Sequence, residues 1–147
     1  MTMRNFLFKG FHITHQGAQE IYINGQCFKG EWVQGYYVAC KDEYCSEMNH
    51  AIFTPGCEHV CMGEYTDFGW YNVIPETVCQ FTGLYDEHGT MIWENDIVSV
   101  RDNLGGLTGQ VIWNETFAQF TFKHTIFPIG DFDIFERKVV GNIFQKV

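Results

Sequence analysis

Val78-Cys79-Gln80-Phe81-Thr82-Gly83-Leu84, then Asp86-Glu87-His88-Gly89, then Met91-Ile92-Trp93, decide the fold class. An apolar run, a polar turn closed by glycine and a short apolar return read as a strand, a turn and its partner strand. The same pattern repeats downstream. Ile97 to Val100 reads as a strand after a tight corner, Gly105-Gly106 as a break, and Gly109 to Trp113 with Phe117 to Lys123 as a hairpin around Asn114-Glu115. Ala118, Phe120 and Phe122 alternate there with Gln119, Thr121 and Lys123, which predicts one buried and one wet face. Val139 to Phe144 reads as a closing strand.

Upstream, Trp70 to Ile74 reads as a strand, and Pro75 opens a helical turn because its fixed φ suits a first helical position. Phe6 and Phe8 lie in a first strand. Ile21-Tyr22-Ile23 and Gln26-Cys27-Phe28 flank Asn24-Gly25, the pair that best accepts a type I′ turn. Trp32 to Val38 follows, with Gly35 expected as a bulge. Residues 41 to 69 are the least regular, and Tyr44, Met48, Ala51 and Ile52 fit a helical spacing. The sum is a mainly β chain with little helix. A small N-terminal β region spans 1–69, with a Cys-bearing insert at about 40–61. An SH3-like barrel spans 70–147, and both share one core in a single domain, 1–147.

Composition agrees. Of 147 residues 17% are aromatic and 18% charged, with 15 Gly against 3 Pro, which excludes disorder and disfavours a helical bundle. The net charge of -9 disfavours general nucleic-acid binding, because phosphates are repelled. The charge is uneven. Asp42 to Glu115 holds 13 acids and one base, Arg101, a balance of -12, and the remainder holds 5 acids and 8 bases, +3. The opening residues lack the apolar length of a signal peptide, and no run is long enough for a membrane span, so a cytoplasmic protein with reduced thiols is expected.

Cys40, Cys45, Cys57 and Cys61 are the sharpest chemical candidate, since two close thiolate pairs could wrap one zinc, with His50 or His59 as substitutes. Zinc pairs more often use a two-residue spacing, so four reduced thiols are the preferred reading and no metal or cofactor is assigned. Glu94 and Asp96, two apart, could share a metal or proton, but a corner residue that accepts backbone N–H bonds fits Asp96 better. Asp86-Glu87-His88-Gly89 reads as a turn. Cys79 as a nucleophile has only His88 and His124 as available bases, and reads as a small core residue. Asn114-Glu115-Thr116 matches a glycosylation sequon but reads as a hairpin turn. Trp32, Trp70, Trp93 and Trp113 could stack bases or proline-rich peptides, though strand aromatics more often form core. No phosphate loop, catalytic triad elbow or dinucleotide fingerprint is present, so no catalytic residue is assigned.

Val73-Ile74-Pro75-Glu76-Thr77-Val78-Cys79-Gln80-Phe81-Thr82-Gly83-Leu84, continuing through Asp86, Gly89, Ile92, Glu94, Asp96, Ile97 and Val98, resembles the signature of the YopX family of phage and prophage proteins. Met3-Arg4, Phe8 and Gly10 resemble its opening strand, Gly30-Glu31-Trp32-Val33-Gln34-Gly35 its second landmark, and Val140-Gly141-Asn142-Ile143 its closing strand. Cys79 and Asn95 stand where the family usually has Gly, and the Cys40 to Cys61 stretch has no counterpart. Asn tolerates left-handed backbone nearly as well as Gly. The resemblance implies a mostly β mobile-element protein inside a bacterial cell, and no particular catalysis.

The expectation is a non-enzymatic phage or prophage accessory protein acting through protein–protein contacts, including homo-oligomer formation at exposed strand edges. One alternative is an acidic mimic that occupies a nucleic-acid-binding host protein. Others are a small-barrel nucleic-acid module and, least favoured, a metal-assisted hydrolase.

Overall fold

The structure, a computed structural model, describes residues 7–41, 48–54, 69–102, 105–125, 127–131 and 136–146. Every strand pair among them is antiparallel, and helix is limited to short 3-10 turns, so the protein is mainly β as its sequence predicts. Apart from the last two residues, the chain divides into two compact units, Met1–Gln80 and Phe81–Gln145. Among the described residues each carries a cluster of buried apolar side chains.

The first unit is built on one long strand. β1 (Phe8–Ile13) and β2 (Gln19–Ile23) are followed by β3 (Gln26–Lys41), which is 16 residues long. β3 pairs in succession with β2 over Gln26 to Gly30, with β1 over Gly30 to Gly35, and with β4 (Met48–Phe53) over Tyr36 to Lys41. Three successive partners satisfy its backbone groups, which explains why it outruns the predicted strand. At the β2–β3 turn, Asn24 and Gly25 have φ of 50° and 81°, as a type I′ turn requires. β5 (Trp70–Asn72) pairs with β4.

Two expectations fail in this unit. Gly35 is no bulge: it is the last residue of β3 paired with β1, opposite Phe8, and the register up to it is unshifted. Glycine is needed instead because the β4 backbone comes too close, and an added Cβ would lie 2.0 Å from the Phe53 carbonyl oxygen. Met48, Ala51 and Ile52 belong to a strand, not a helix. The exposed edge of β3 over Tyr36 to Lys41 offers them a ladder, and burial of Ala51 and Ile52 beside it outweighs their helical spacing. Tyr44 lies outside the described residues.

The core here is Val33, Ile52 and Val73, packed by Phe8, Tyr37, Tyr71 and Val78. The predicted helical turn is the 3-10 turn Pro75–Thr77. It fastens the chain to β1: Thr77 Oγ1 accepts the Phe11 N–H at 2.8 Å and donates to the Ile74 carbonyl at 2.6 Å. The Ile74 N–H donates to the Phe11 carbonyl at 3.0 Å, and the Val73 N–H to that of His50 at 3.0 Å. These bonds tie residues 73–77 to β1 and β4 within the first unit.

β6 (Cys79–Tyr85) leads into the second unit, where Phe81 and Tyr85 pair with β7 (Met91–Trp93). The register shifts between those two residues, and Gly83 at φ 82° supplies the backbone of that irregularity. β8 (Asp96–Asp102), β9 (Gly105–Asn114), β10 (Gln119–Phe122) and β11 (Arg137–Asn142) form a sheet in the order β10-β9-β8-β11. That pairing does not return to its start among the described residues, so the closure expected of an SH3-like barrel is not seen in it. Gly105-Gly106 does not break the chain: both residues open β9 and pair with Asp102 and Arg101. A glycine's N–H and C=O complete a ladder like any other residue's. Ile92, Val98, Val100, Val111, Phe122 and Ile129 form the core.

The alternation predicted for β10 holds only in part. Phe122 is buried, but so is Thr121, on the face expected to be wet, while Ala118 is exposed in the preceding turn. Thr121 forms a bridge with Pro128, so the chain entering the 3-10 turn Ile129–Asp131 lies against it.

Candidate interaction surface

Two buried carboxylates of the second unit hold its turns. Asp86 is buried. Its Oδ1 accepts the His88 and Thr90 N–H groups, both at 2.9 Å, and its Oδ2 accepts the Val139 N–H at 3.0 Å. Burial pushes its pKa up, yet the bonds from Val139, Thr90 and His88 and the field of the His88 ring outweigh this. The carboxyl is held below its ordinary value. One side chain thus closes the β6–β7 turn and ties it to β11. Asp96 does similar work, accepting the Trp93 N–H at 2.9 Å across the corner where Asn95 has φ 71°. The corner reading of Asp96 is correct, and Asn95 does adopt the left-handed geometry.

Cys79 is fully buried in the first unit, and its thiol donates to the Thr77 carbonyl at 3.2 Å. It is a small core residue, as expected. The sequon lies in a turn, where Asn114 Oδ1 accepts the Phe117 N–H at 3.2 Å. Of the proposed zinc ligands, Cys45, Cys57, Cys61 and His59 lie outside the described residues, and Cys40 is placed only as a backbone position on β3. The described part of this set is His50, whose Nδ1 hydrogen-bonds the Tyr37 hydroxyl with the two rings stacked at 5.9 Å. Burial raises the Tyr37 pKa.

A shallow cleft of about 310 Å³ on β8 and β11 is lined by Glu87, Ser99, Arg101, Glu136, Lys138 and Val140. Two carboxylates and two cations leave it without a net charge.

The four tryptophans separate by burial. Trp93 is core, and Trp32 packs edge-on against Phe11 beneath the Lys9 ammonium, which sits 4.6 Å from its ring centre. Trp113 is exposed and packs against Phe120 at 5.0 Å. Trp70 differs from all of them in its company. Tyr36 on β3 pairs with Phe53 on β4, and Phe53 pairs with Trp70 on β5. Residues paired in register share a face, so three aromatic side chains stand in a row across three strands. They are 54%, 37% and 46% exposed. Phe53 and Trp70 touch, with ring centres 6.4 Å apart.

The frame under this row is fixed. Thr54 donates its N–H to the Gly69 carbonyl at 2.7 Å and its hydroxyl to the Gln34 carbonyl at 2.9 Å. Gly35 lets β3 and β4 approach beneath it. The opposite face, with Tyr37, Ile52 and Tyr71 in the next register row, supplies the core. Trp70 was among the sequence candidates, but Tyr36 and Phe53 were missed. The usable signal was the adjacent pair Tyr36-Tyr37, since neighbours on a strand must face opposite sides.

These observations define a mainly β protein of two compact units, with an exposed aromatic row on the first. A family model described as YopX protein matches residues 25–146, most of the chain, and the protein belongs to the YopX family. No curated protein and no solved structure matches it. No helix among the described residues is long and apolar enough to cross a membrane.

Proposed function

We propose that this protein is a non-enzymatic accessory protein of a phage or prophage. It works by protein–protein contact through the face that carries Tyr36, Phe53 and Trp70. The supporting observation is that row: three in-register aromatics, none less than 37% exposed, on a rigid three-stranded support. Contiguous exposed apolar side chains mark contact surfaces, and aromatic anchors dominate binding energy where they are held in place. The test is capture from a host lysate with the tagged full chain. It compares the wild type, a Tyr36→Ser/Phe53→Ser/Trp70→Ser variant and a Trp113→Ser/Phe117→Ser control. A partner identified by mass spectrometry and lost only with the first variant supports the reading. Equal capture by all three sinks it. Light scattering on the same proteins tests self-association, and a strictly monomeric wild type at high concentration removes that part.

The charge of -12 between Asp42 and Glu115 favours a second reading, acidic mimicry of nucleic acid. It expects DNA-binding host proteins to be captured at low salt, released at high salt and indifferent to the aromatic substitutions.

A further inference from the structure

We infer that β2 is the edge through which this chain associates with itself: two copies pair β2 antiparallel to β2 across a two-fold axis at Ile21. The inference rests on the self-association in the proposal above and gives it a strand and a register. It makes no use of the aromatic row.

The first argument is which strand edges are closed. In the second unit the Val139 N–H donates to Asp86 Oδ2 and the Glu87 N–H to the Arg137 carbonyl, which occupies the outer edge of β11. On β10 the Phe122 N–H donates to the Phe127 carbonyl, and Thr121 bridges Pro128. In the first unit β5 is met by β1: the Asn72 carbonyl accepts from His12 Nδ1 at 2.7 Å, and the Ile74 N–H donates to the Phe11 carbonyl. β7 is three residues long and lies in an irregular register. β2 differs. The Thr14 N–H donates to the Lys29 carbonyl on the β1 side of β3, so Gln26, Phe28 and Gly30 turn their backbone groups to β2. Ile23, Ile21 and Gln19 are their register partners. The N–H and C=O of Glu20 and Tyr22 therefore face away from β3, and no strand or backbone bond among the described residues takes them. β2 also has no proline and no bulge, two usual protections of an edge.

The second argument is what fits that edge. Main-chain bonds accept any strand, so side chains choose the occupant. β2 set against itself about Ile21 brings Glu20 opposite Tyr22 of the second copy, Ile21 opposite Ile21, and Tyr22 opposite Glu20. Glu20 and Tyr22 are the outward residues, so these two pairs exchange the N–H···O=C bonds. The Tyr22 hydroxyl already donates to the Glu20 carboxylate along the strand at 3.4 Å, and the same two groups meet across the pair. Each Glu20 keeps its own Lys29 on the other side, and each Ile21 its own Phe28. No like charges are opposed, and one apolar row runs through four strands. An axis at Glu20 would set two carboxylates face to face. An axis at Tyr22 would draw in Asn24, which the turn holds at φ 50°. β2 is thus complementary to itself in the register that uses its whole length, Gln19–Ile23.

The test is sedimentation equilibrium of the full-length protein over a concentration series, with amide exchange read by NMR at its two ends. The wild type should dimerise, and the Glu20 and Tyr22 amides should gain protection as concentration rises. Tyr22→Glu sets like charges across the pair and should weaken dimerisation by about two- to thirtyfold, because the contact occurs twice. Tyr22→Lys sets unlike charges there and should dimerise at least as tightly as wild type. Within the chain both variants face the neutral Cys27, so the fold bears them alike. Glu20→Pro removes an outward N–H, which an edge strand tolerates, and should abolish the dimer. The triple serine variant of the aromatic row should dimerise as wild type does. Equal dimerisation by Tyr22→Glu and Tyr22→Lys, a Glu20→Pro dimer as tight as wild type, Glu20 and Tyr22 amides indifferent to concentration, or loss of the dimer in the triple serine variant each overturn the inference. A dimer that survives Glu20→Pro leaves self-association standing and moves it to another surface. A strictly monomeric wild type removes the inference and self-association together, and the lysate contact of the aromatic row is then judged by its own experiment.

Discussion

The two units solve one problem differently. The second seals its sheet with aliphatic side chains and Phe122, and ties its turns with two buried carboxylates, Asp86 and Asp96. The first leaves three aromatic side chains, Tyr36, Phe53 and Trp70, on the outside of a three-stranded sheet and fastens itself by backbone approach and by the Thr77 hydroxyl. One unit is thus organised for closure, and the other keeps an organised surface uncovered. The exposed aromatics of the second unit are scattered, Trp113 and Phe117 about one hairpin turn, Tyr85 at the end of β6 and Phe127 beyond β10, whereas those of the first align across three strands. Alignment, more than exposure, separates a contact surface from scattered apolar residues.

The largest effect is expected at the sealed core. Phe122→Ala removes a fully buried ring and should cost about 3–5 kcal/mol. Hydrogen exchange read by mass spectrometry should show protection lost first in peptides from Phe81 to Gln145. Uniform loss over both units would mean that the two clusters unfold as one and would blur the distinction.

Next comes the carboxylate tie. Asp86→Ala leaves the His88, Thr90 and Val139 N–H groups without their acceptor and should cost about 1.5–3 kcal/mol in urea denaturation. The direction with pH follows from the lowered pKa. The folded state prefers the ionised carboxylate, so its contribution is complete above the unfolded value, about 3.9. It is lost as pH falls below that value through the lower folded one. A melting series from neutral to acid pH should show a steeper fall in wild type than in Asp86→Asn. Parallel curves would remove Asp86 as the tie.

Gly35→Ala tests the frame of the first unit. The added Cβ would meet the Phe53 carbonyl at 2.0 Å, and forced separation of β3 from β4 should cost about 1–3 kcal/mol. Peptides from β3 and β4 should lose exchange protection, and binding through the aromatic row should weaken without any ring being removed. Wild-type stability and binding in this variant would show that the row needs no fixed support.

Legibility followed the same division. Local chemistry could be read directly: Asn24-Gly25 and Asn95 announce their left-handed turns, Asp86 and Asp96 their corners, and Pro75 its helical turn. What escaped was set by partners distant in sequence. Met48 to Phe53 became a strand because β3 offered it an edge, Gly105-Gly106 entered β9 because β8 lay opposite, and Thr121 was buried by Pro128. The candidate surface escaped for the same reason. Tyr36, Phe53 and Trp70 span 34 positions, and only the pairing register brings them into one row. Composition recorded the aromatics, but not which of them would face outward.

The smallest stability effect is the most telling. Trp70→Ala and Phe53→Ser remove side chains from a surface, where substitutions usually shift stability by no more than about 0.5 kcal/mol. If these residues served mainly as packing, the cost would approach that of a core truncation, several times larger. A row retained for contact predicts unfolding curves close to wild type together with a large loss of binding. Packing predicts the reverse. Phe53 sharpens the test because it is the least exposed of the three and touches Trp70. Trp70→Ala should therefore slightly loosen Phe53, and the double variant should destabilise by less than the sum of the two singles, as neighbours in contact do. Additive, large losses in stability would place the row inside the fold's own architecture and leave the first unit as closed as the second.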